Sequence, residues 1–328
     1  MSETAPAADK RPLKPYTKYF VLFIALTIGS VWALTLFYLA AYDFAVATLG
    51  ELELRNPVVV IILHSPAIAA FLIFLLYDGP RGLANFFRSL VPRKKDLLWI
   101  PVLLVLMFGY IFAIRYLCML FGIDVPPETE TPLEMVLTFL ELFYMEIGMV
   151  AIAIGWFGFF LPLMHRITKN HITAGIATGM GIAVFVAPGN VFASFDLAIA
   201  WPLYASQLCV LCIGMSFLLS RMKGNVLFFL LPFWASASGS AMQLYYFAVP
   251  TQFVQLVVFA ILATILYFVL KSQARGGELD PRHTFPEYLE NSYTVRMGSV
   301  VPGVGDKSRQ LDPRSDTELV GASRETSA

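Results

Sequence analysis

Charged side chains are scarce in this chain of 328 residues: Lys, Arg, Asp and Glu make up 14% of it, whereas 58% is hydrophobic. A soluble domain has about a quarter of its residues charged and roughly half apolar. The scarcity excludes an ordinary soluble protein. The apolar excess lies in long uninterrupted runs, which predict a membrane protein with several spans.

Cysteine is equally sparse, and Cys118, Cys209 and Cys212 all fall inside apolar runs. This placement excludes the disulfide framework of a small secreted protein. Cys209 and Cys212 stand one helical turn apart, but two metal-bound thiolates in mid-membrane would be costly, so their spacing is only a weak indication of zinc.

The few histidines do not indicate a metal centre either. His64 is interpreted as a packed, hydrogen-bonded imidazole. His165 and His171 flank a predicted turn, and their spacing across that turn is not typical of metal ligands. We therefore expect neither a metal nor a cofactor.

Eight apolar runs are long enough, or nearly so, to cross a hydrocarbon core, which needs about 20 helical residues. They cover approximately residues 19–41, 57–77, 97–120, 133–164, 172–186, 197–219, 226–246 and 252–270. We therefore predict an all-α polytopic helix bundle of eight spans over residues 19–270. The fourth run is long enough to be one tilted helix or a helix broken near Gly148 or Gly155.

Positive charge is concentrated in alternate connections and in the two terminal segments. These basic segments are 1–18, 78–95, 165–171, 220–225 and 271–328. The intervening connections are poor in Lys and Arg, and 121–132 has Asp124, Glu128 and Glu130 with no basic residue. The positive-inside rule then predicts that both termini are cytoplasmic, and we expect the protein to lie in a bacterial inner membrane.

The predicted membrane domain is flanked by tails at 1–18 and 271–328. The second tail is rich in Gly, Pro, Ser, Asp and Arg. Such a composition cannot bury enough apolar surface to fold alone, so we expect a disordered cytoplasmic segment there.

Segment 78–95, DGPRGLANFFRSLVPRKK, leaves the second run at Gly79. Its apolar residues recur at helical spacing opposite arginines: Leu83, Phe86, Phe87, Leu90 and Val91. This pattern predicts a short amphipathic helix in the membrane interface, and the alternative is an ordinary basic loop.

Arg115, Glu141 and Glu146 fall well inside predicted spans, where an ionisable residue is by default a functional candidate. Arg115 and Glu141 lie at matching depths near the outer ends of the third and fourth runs, so we predict an ion pair between them. Glu146 lies deeper and has no obvious partner. It is about 140° around the helix from Glu141, so a two-carboxylate site is not expected.

Four segments of the chain, beginning at Asn56, Ile154, Gly181 and Met222, carry recognisable motifs. They are NPVVVIILHSPAIAAFLIFLLYDGPRGLANFFRSL, IGWFGFFLPLM, GIAVFVAPGNV and MKGNVLFFLLPFWASASGS. In this order they resemble the CPBP intramembrane proteases, a family that includes the CAAX prenyl proteases. The resemblance covers roughly residues 20–270 and implies a CPBP-like helix bundle.

The residues that such a protease uses for catalysis are missing at the matching positions. The family's glutamate pair falls on Ile152 and Ala153, and its arginine falls on Phe157. Its next histidine falls on Val186, and its final histidine and asparagine fall on Phe233 and Ala237. If the last motif shifts by one position, its two residues fall on Pro232 and Ser236, which do not match either.

Proteolysis by this family requires a base that activates water and a polar group that stabilises the oxyanion. Apolar side chains do neither, and Glu146 lies about 9–10 Å along the helix from the position of the glutamate pair. The resemblance therefore implies a pseudoprotease, a protease scaffold without catalytic residues.

Three functions remain open. We favour a non-catalytic membrane protein that acts as a scaffold, regulator or assembly factor for another membrane protein or for a lipidated or peptide ligand. A divergent intramembrane peptidase would use Glu146 with His165 or another histidine. A small-molecule or ion transporter would use Arg115, Glu141 and Glu146 as a polar path. In each case the partners include the lipid bilayer and no nucleic acid.

Overall fold

The structure is a computed structural model. It describes residues 14–52, 56–92, 94, 96–127, 131–145, 147–191, 200–222, 244–246 and 248–273. Every regular element within these ranges is helical. Six helices are long and apolar enough to cross a membrane, or seven if one bent pair is counted as a span. The fold class is thus all-α, with the several apolar helices of a multi-pass membrane protein.

The helices are labelled in chain order. Two are composite: α1 joins Lys14–Ile24, the π-helical Ala25–Gly29 and Ser30–Ala40, and α7 joins Ile147–Ala153, the π-helical Ile154–Phe160 and Leu161–Thr168. The others are α2 (Tyr42–Leu49), α3 (Pro57–Leu63), α4 (Ser65–Leu90), α5 (Ile100–Leu120), α6 (Pro132–Met145), α8 (His171–Val191), α9 (Trp201–Met222) and α10 (Val249–Gln273). A 3₁₀ turn, Asp96–Trp99, precedes α5.

Most predicted apolar runs coincide with these helices. The run at 226–246 lies almost entirely outside the described residues. The terminal helices extend beyond the predicted limits, because α1 begins at Lys14 and α10 ends at Gln273. Long basic side chains let a helix continue through the headgroup region with its charges in water.

The second predicted span is bent rather than straight. The axes of α3 and α4 meet at 58°, next to Pro66, the second residue of α4. Proline has no N–H to donate, and its ring clashes with the carbonyl four residues earlier, which ends or kinks a helix. His64 lies at this bend, where its Nδ1 is 2.7 Å from the Val60 carbonyl oxygen.

The predicted amphipathic helix forms the second half of α4. Gly79 has φ 68° and ψ −169°, a backbone conformation that glycine adopts readily, and the chain reverses there. Phe86 is then buried against Phe74, with ring centroids 4.5 Å apart. Leu90 is buried as well, and Arg81 and Arg88 are exposed, so the expected helix is confirmed. Phe87 and Val91, also predicted on its apolar face, are exposed.

The core of the bundle is aromatic. We call its central group the aromatic cluster: Phe23, Phe74, Phe86, Trp156, Phe159 and Phe160, all buried. Phe23 of α1 lies 5.2 Å from Trp156, 5.2 Å from Phe159 and 5.1 Å from Phe160 between ring centroids. Offset and edge-to-face rings at these separations add to the energy of burial. The cluster joins α1, α4 and α7.

Glycine allows the helices around this core to approach closely. A Cβ on Gly155 would lie 2.3 Å from Cβ of Pro66, and one on Gly179 would lie 2.4 Å from Cα of Cys209. Both distances are below van der Waals contact. The small residues of α7 and α8 thus bring backbones together, the use expected of glycine in membrane helices.

A proline in α8 leaves one backbone carbonyl of that helix without its usual donor, and a side chain of another helix donates to it instead. Pro188 has no N–H to donate to the carbonyl of Val184, one turn earlier. The indole Nε1 of Trp32, on α1, donates to that oxygen at 3.0 Å. A backbone group freed inside a membrane is thereby satisfied by a neighbouring helix, as the absence of water there requires.

Candidate functional site

The positions that match the family's catalytic residues lie in or beside the aromatic core. Ile152, Ala153 and Phe157 are buried in the same apolar core as the aromatic cluster, and Val186 is partly buried against it. None of these four side chains is ionisable. The remaining positions, Phe233 and Ala237 or alternatively Pro232 and Ser236, lie outside the described residues.

The backbone at this locus is a π-helix rather than an α-helix. Residues Ile154–Phe160 form it, and at its end the N–H of Leu161 donates to the oxygen of Trp156, five residues back. Pro162 follows at once and has no N–H to donate. Short π segments inside α-helices often occur at functional sites. Here the segment turns aromatic side chains inward, and all residues from Gly155 to Phe160 are buried.

Three buried polar side chains lie instead near the end of α7. We call them the histidine–serine cluster: His165, His171 and Ser216. The Nε2 of His165 is 2.6 Å from Oγ of Ser216, and the Nδ1 of His171 is 2.9 Å from the same oxygen. The two imidazole rings meet edge to face, with centroids 4.8 Å apart.

The number of hydrogen-bond donors and acceptors limits how many protons this cluster can hold. A serine hydroxyl has one hydrogen to donate and two lone pairs that accept. If both imidazoles are neutral, one accepts the Ser216 proton while the other donates its N–H to Oγ. If one imidazole takes up a proton, both rings can donate an N–H to Oγ. If the second imidazole is protonated too, two positive charges lie about 5 Å apart in a buried site, which is unfavourable.

Sequence reasoning did not anticipate this cluster, because His165 and His171 were not interpreted as a pair. Lys169 takes a left-handed conformation, φ 57°, at the end of α7, and α8 starts two residues later. The turn is therefore tight enough to bring the last turn of one helix against the first turn of the next. Ser216 comes from α9 and carries no local signal. Within the described residues no group of three or more His, Cys, Asp or Glu side chains could hold a metal ion.

The predicted ion pair between Arg115 and Glu141 does not form among the described residues, so this prediction is wrong. Arg115 is buried, and its Nη1 donates to the carbonyl oxygens of Pro126 at 3.0 Å and Leu244 at 2.8 Å. Glu141 is exposed on α6. Matching depths were compatible with a pair, but depth does not fix the face on which a side chain lies. Glu146 lies outside the described residues.

A second polar network lies beside Leu244, which accepts a hydrogen bond from Arg115, at the opposite end of the bundle from the histidine–serine cluster. Gln207 of α9 donates through Nε2 to Oε1 of Gln255 at 2.7 Å, and Gln255 donates through Nε2 to the Tyr245 hydroxyl at 3.1 Å. Gln207 Nε2 also lies 3.3 Å from the carbonyl oxygen of Gln252. We call this end the amide end. Uncharged glutamines inside apolar runs give no strong sequence signal, so reasoning from charges missed it.

No protein-family model matches the chain, and no curated protein is significantly similar to it. The similarity to CPBP proteases therefore rests on the motifs themselves.

Proposed function

We propose that this chain is a non-catalytic membrane protein with a CPBP-like scaffold, which acts as a scaffold, regulator or assembly factor for another membrane protein or for a lipidated or peptide ligand. One observation carries the proposal: where the family has its glutamates and arginine, this chain has Ile152, Ala153 and Phe157, all buried in apolar core. A general base in that position has to reach water and substrate, and these side chains offer no proton acceptor.

The first test is a search for proteolysis. We expect the purified protein to hydrolyse neither prenylated nor unprenylated membrane peptides between about pH 5 and pH 9, with or without added zinc, because base and stabiliser are both missing. The variant Ile152→Glu should not gain activity and should unfold at lower temperature, since a lone carboxylate in an apolar core is either desolvated or protonated. Turnover by the unmodified chain that Glu146→Gln abolishes would refute the proposal.

The second test concerns the partner. A membrane protein that binds this scaffold should co-purify in fixed ratio from gently solubilised membranes. The full chain should be compared with a version that ends near Lys271, since loss of the partner from the shorter version would assign binding to the tail. Recovery of the chain alone under all mild conditions would argue against a scaffold.

The proposal includes a topology of eight spans with both termini cytoplasmic, supported by the alternation of basic and acidic connections. Single cysteines at Asp124 and Arg88, both exposed, test it directly. In intact cells a membrane-impermeant maleimide should label the Asp124→Cys variant and not the Arg88→Cys variant. The reverse pattern would invert the topology.

The divergent-peptidase alternative is favoured by one observation, the 2.6 Å contact between His165 Nε2 and Ser216 Oγ. A serine beside a histidine is the start of a nucleophile and base pair. However, Ser216 is 0% exposed, so a substrate cannot reach it in this conformation. If this pair were catalytic, Ser216→Ala would abolish peptidase activity that the unmodified chain shows.

A further inference from the structure

Arg115 is a buried cation with no acidic partner among the described residues. Its side chain is 6% exposed, and both of its hydrogen bonds to described residues use the same nitrogen, Nη1. Both partners are neutral carbonyl groups, which accept hydrogen bonds without cancelling the charge. Backbone carbonyls are common partners of a charge inside a membrane protein, but an anion would offset the desolvation of the guanidinium more fully than they do.

The guanidinium group shows which anion would fit. It carries five N–H donors, two on each terminal nitrogen and one on Nε. The two on Nη1 point to Pro126 and Leu244, so Nε and Nη2 are left along one edge of the plane. That edge presents two parallel N–H bonds, the arrangement that binds both oxygens of a planar carboxylate.

Gln252 is a second, independent polar side chain at the amide end whose hydrogen-bonding groups are not satisfied by the described residues. Its side chain is 1% exposed, and neither its amide oxygen nor its amide nitrogen has a hydrogen-bond partner within the described part of the chain. Its backbone is held in place, because its N–H donates to Ala248 and its carbonyl accepts from Gln207. A buried polar group left without a partner is unfavourable by about 1–3 kcal/mol, so a partner is expected.

These two residues belong to one polar region. Leu244, which accepts from Arg115, is followed by Tyr245, whose hydroxyl accepts from Gln255 one turn after Gln252 on α10. Thr251, adjacent to Gln252, contacts Cys118, which lies one turn beyond Arg115 on α5. The start of α10 thus packs against the end of α5 that carries the guanidinium.

We propose that the amide end of the bundle, between α5, α9 and α10, binds a carboxylate-bearing ligand, with Arg115 holding the anion and the Gln252 amide as a further hydrogen-bond donor. A monoanion is favoured over a phosphate dianion because Arg115 is the only buried cation that the described residues place there. The carboxylate belongs either to a water-soluble acid or to a fatty acid from the bilayer. This inference does not depend on the pseudoprotease proposal.

Thermal unfolding of the full-length protein tests the site. In detergent, sodium propionate should raise the unfolding midpoint saturably, whereas propionamide, its neutral isostere, and sodium chloride at equal ionic strength should not. In lipid nanodiscs, sodium oleate provides the lipid-borne carboxylate. Whichever acid saturates at the lower concentration identifies the source. No saturable shift with either acid would overturn the proposal.

Three variants make the assignment specific. Arg115→Gln should remove the propionate or oleate shift. Gln252→Leu removes two unpartnered atoms and should fold at least as well as the parent, while the half-saturating concentration of the acid rises about tenfold, as for a lost hydrogen bond to a charged group. Arg88→Gln, at an exposed arginine, is the matched control and should respond like the parent. An unchanged response in Gln252→Leu would contradict the site even if Arg115→Gln does not fold.

The chain's own Glu128 and Glu130, which lie outside the described residues, are the competing carboxylates. If one of them occupied Arg115, the double variant Glu128→Gln/Glu130→Gln would unfold at lower temperature and propionate would restore it. That result would overturn the ligand proposal. An unchanged midpoint, with the acid response retained, supports it.

Discussion

The two halves of α7 differ sharply in chemistry, although their centres are only about 13 Å apart along the helix. Around Trp156 the neighbouring rings are those of Phe23, Phe160 and Phe185. Around His165 the neighbours are a second histidine and a serine. The motif that resembles a protease site lies at the apolar centre of the protein, and the buried histidines and serine lie nearer the helix end.

The two regions depend on different kinds of interaction. The aromatic cluster is stabilised by buried area and close contact, which tolerate small shifts and require no proton to be in a particular place. The histidine–serine cluster depends on matched donors and acceptors in a medium of low dielectric, where a lost partner is costly. We therefore expect size changes to be most damaging in the first region and single-atom changes in the second.

The largest effect should come from Trp156→Ala. This side chain is fully buried among aromatic rings, and truncating a buried Trp to Ala destabilises a protein by about 3–5 kcal/mol. The unfolding midpoint in detergent should fall accordingly. Phe253→Ala, at an exposed position on α10, is the control and should change it little. Equal effects of the two variants would mean that the aromatic cluster is not the core.

A double-mutant cycle sharpens this test. A Cβ on Gly181 would lie 2.5 Å from Cζ3 of Trp156, so Gly181→Ala alone should destabilise by roughly 1–3 kcal/mol through overpacking. In a Trp156→Phe background the smaller ring leaves room for the methyl group. The two losses should then fail to add.

The next largest effect should come from Arg115→Met, which removes a donor from the carbonyls of Pro126 and Leu244. Each buried acceptor left unsatisfied is unfavourable by roughly 1–3 kcal/mol. Glu141→Met, at an exposed site, should change the midpoint little, and the double variant should match Arg115→Met alone. Recovery of stability in the double variant would instead show that the two residues pair, contrary to the structure.

The sequence predicts the class of fold well because hydrophobic length is a strong signal. Apolar runs of about 20 residues, and a basic amphipathic segment after Gly79, need no tertiary information to be interpreted. The fourth apolar run left open whether its helix is broken near Gly155, and the structure has a π-helical segment there within a continuous helix. What sequence alone could not give is the face on which a side chain lies, and this is why the Arg115–Glu141 pair was wrong.

The candidate polar sites were much less predictable than the fold. Ser216, Gln207 and Gln252 are uncharged and lie within apolar runs, so composition gives no reason to select them. Their significance comes from neighbours that are distant in sequence: 51 positions separate Ser216 from His165, and 48 separate Gln207 from Gln255. Only packing of α7, α9 and α10 brings such residues together.

Ser216→Ala should have a smaller but specific effect. It removes the oxygen that both His165 and His171 contact, and loss of one buried hydrogen-bond partner is typically unfavourable by about 1–3 kcal/mol. Ser206→Ala is a matched control on the same helix, because that exposed hydroxyl only donates to the Pro202 carbonyl. The midpoint should fall for the first variant and stay unchanged for the second. If both are silent, the cluster contributes nothing to stability.

The smallest effect on stability should come from removing the hydrogen bond between Trp32 and Val184, in which a side chain satisfies a backbone carbonyl inside the apolar region. Trp32→Phe keeps most of the ring but removes the Nε1 donor, so the Val184 carbonyl loses its partner, and we expect destabilisation of about 1 kcal/mol. Pro188→Ala supplies an N–H that can donate to the same carbonyl within α8. In that background Trp32→Phe should be nearly neutral, because the helix then satisfies its own backbone. Additive losses in the double-mutant cycle would show that the indole contributes only by packing.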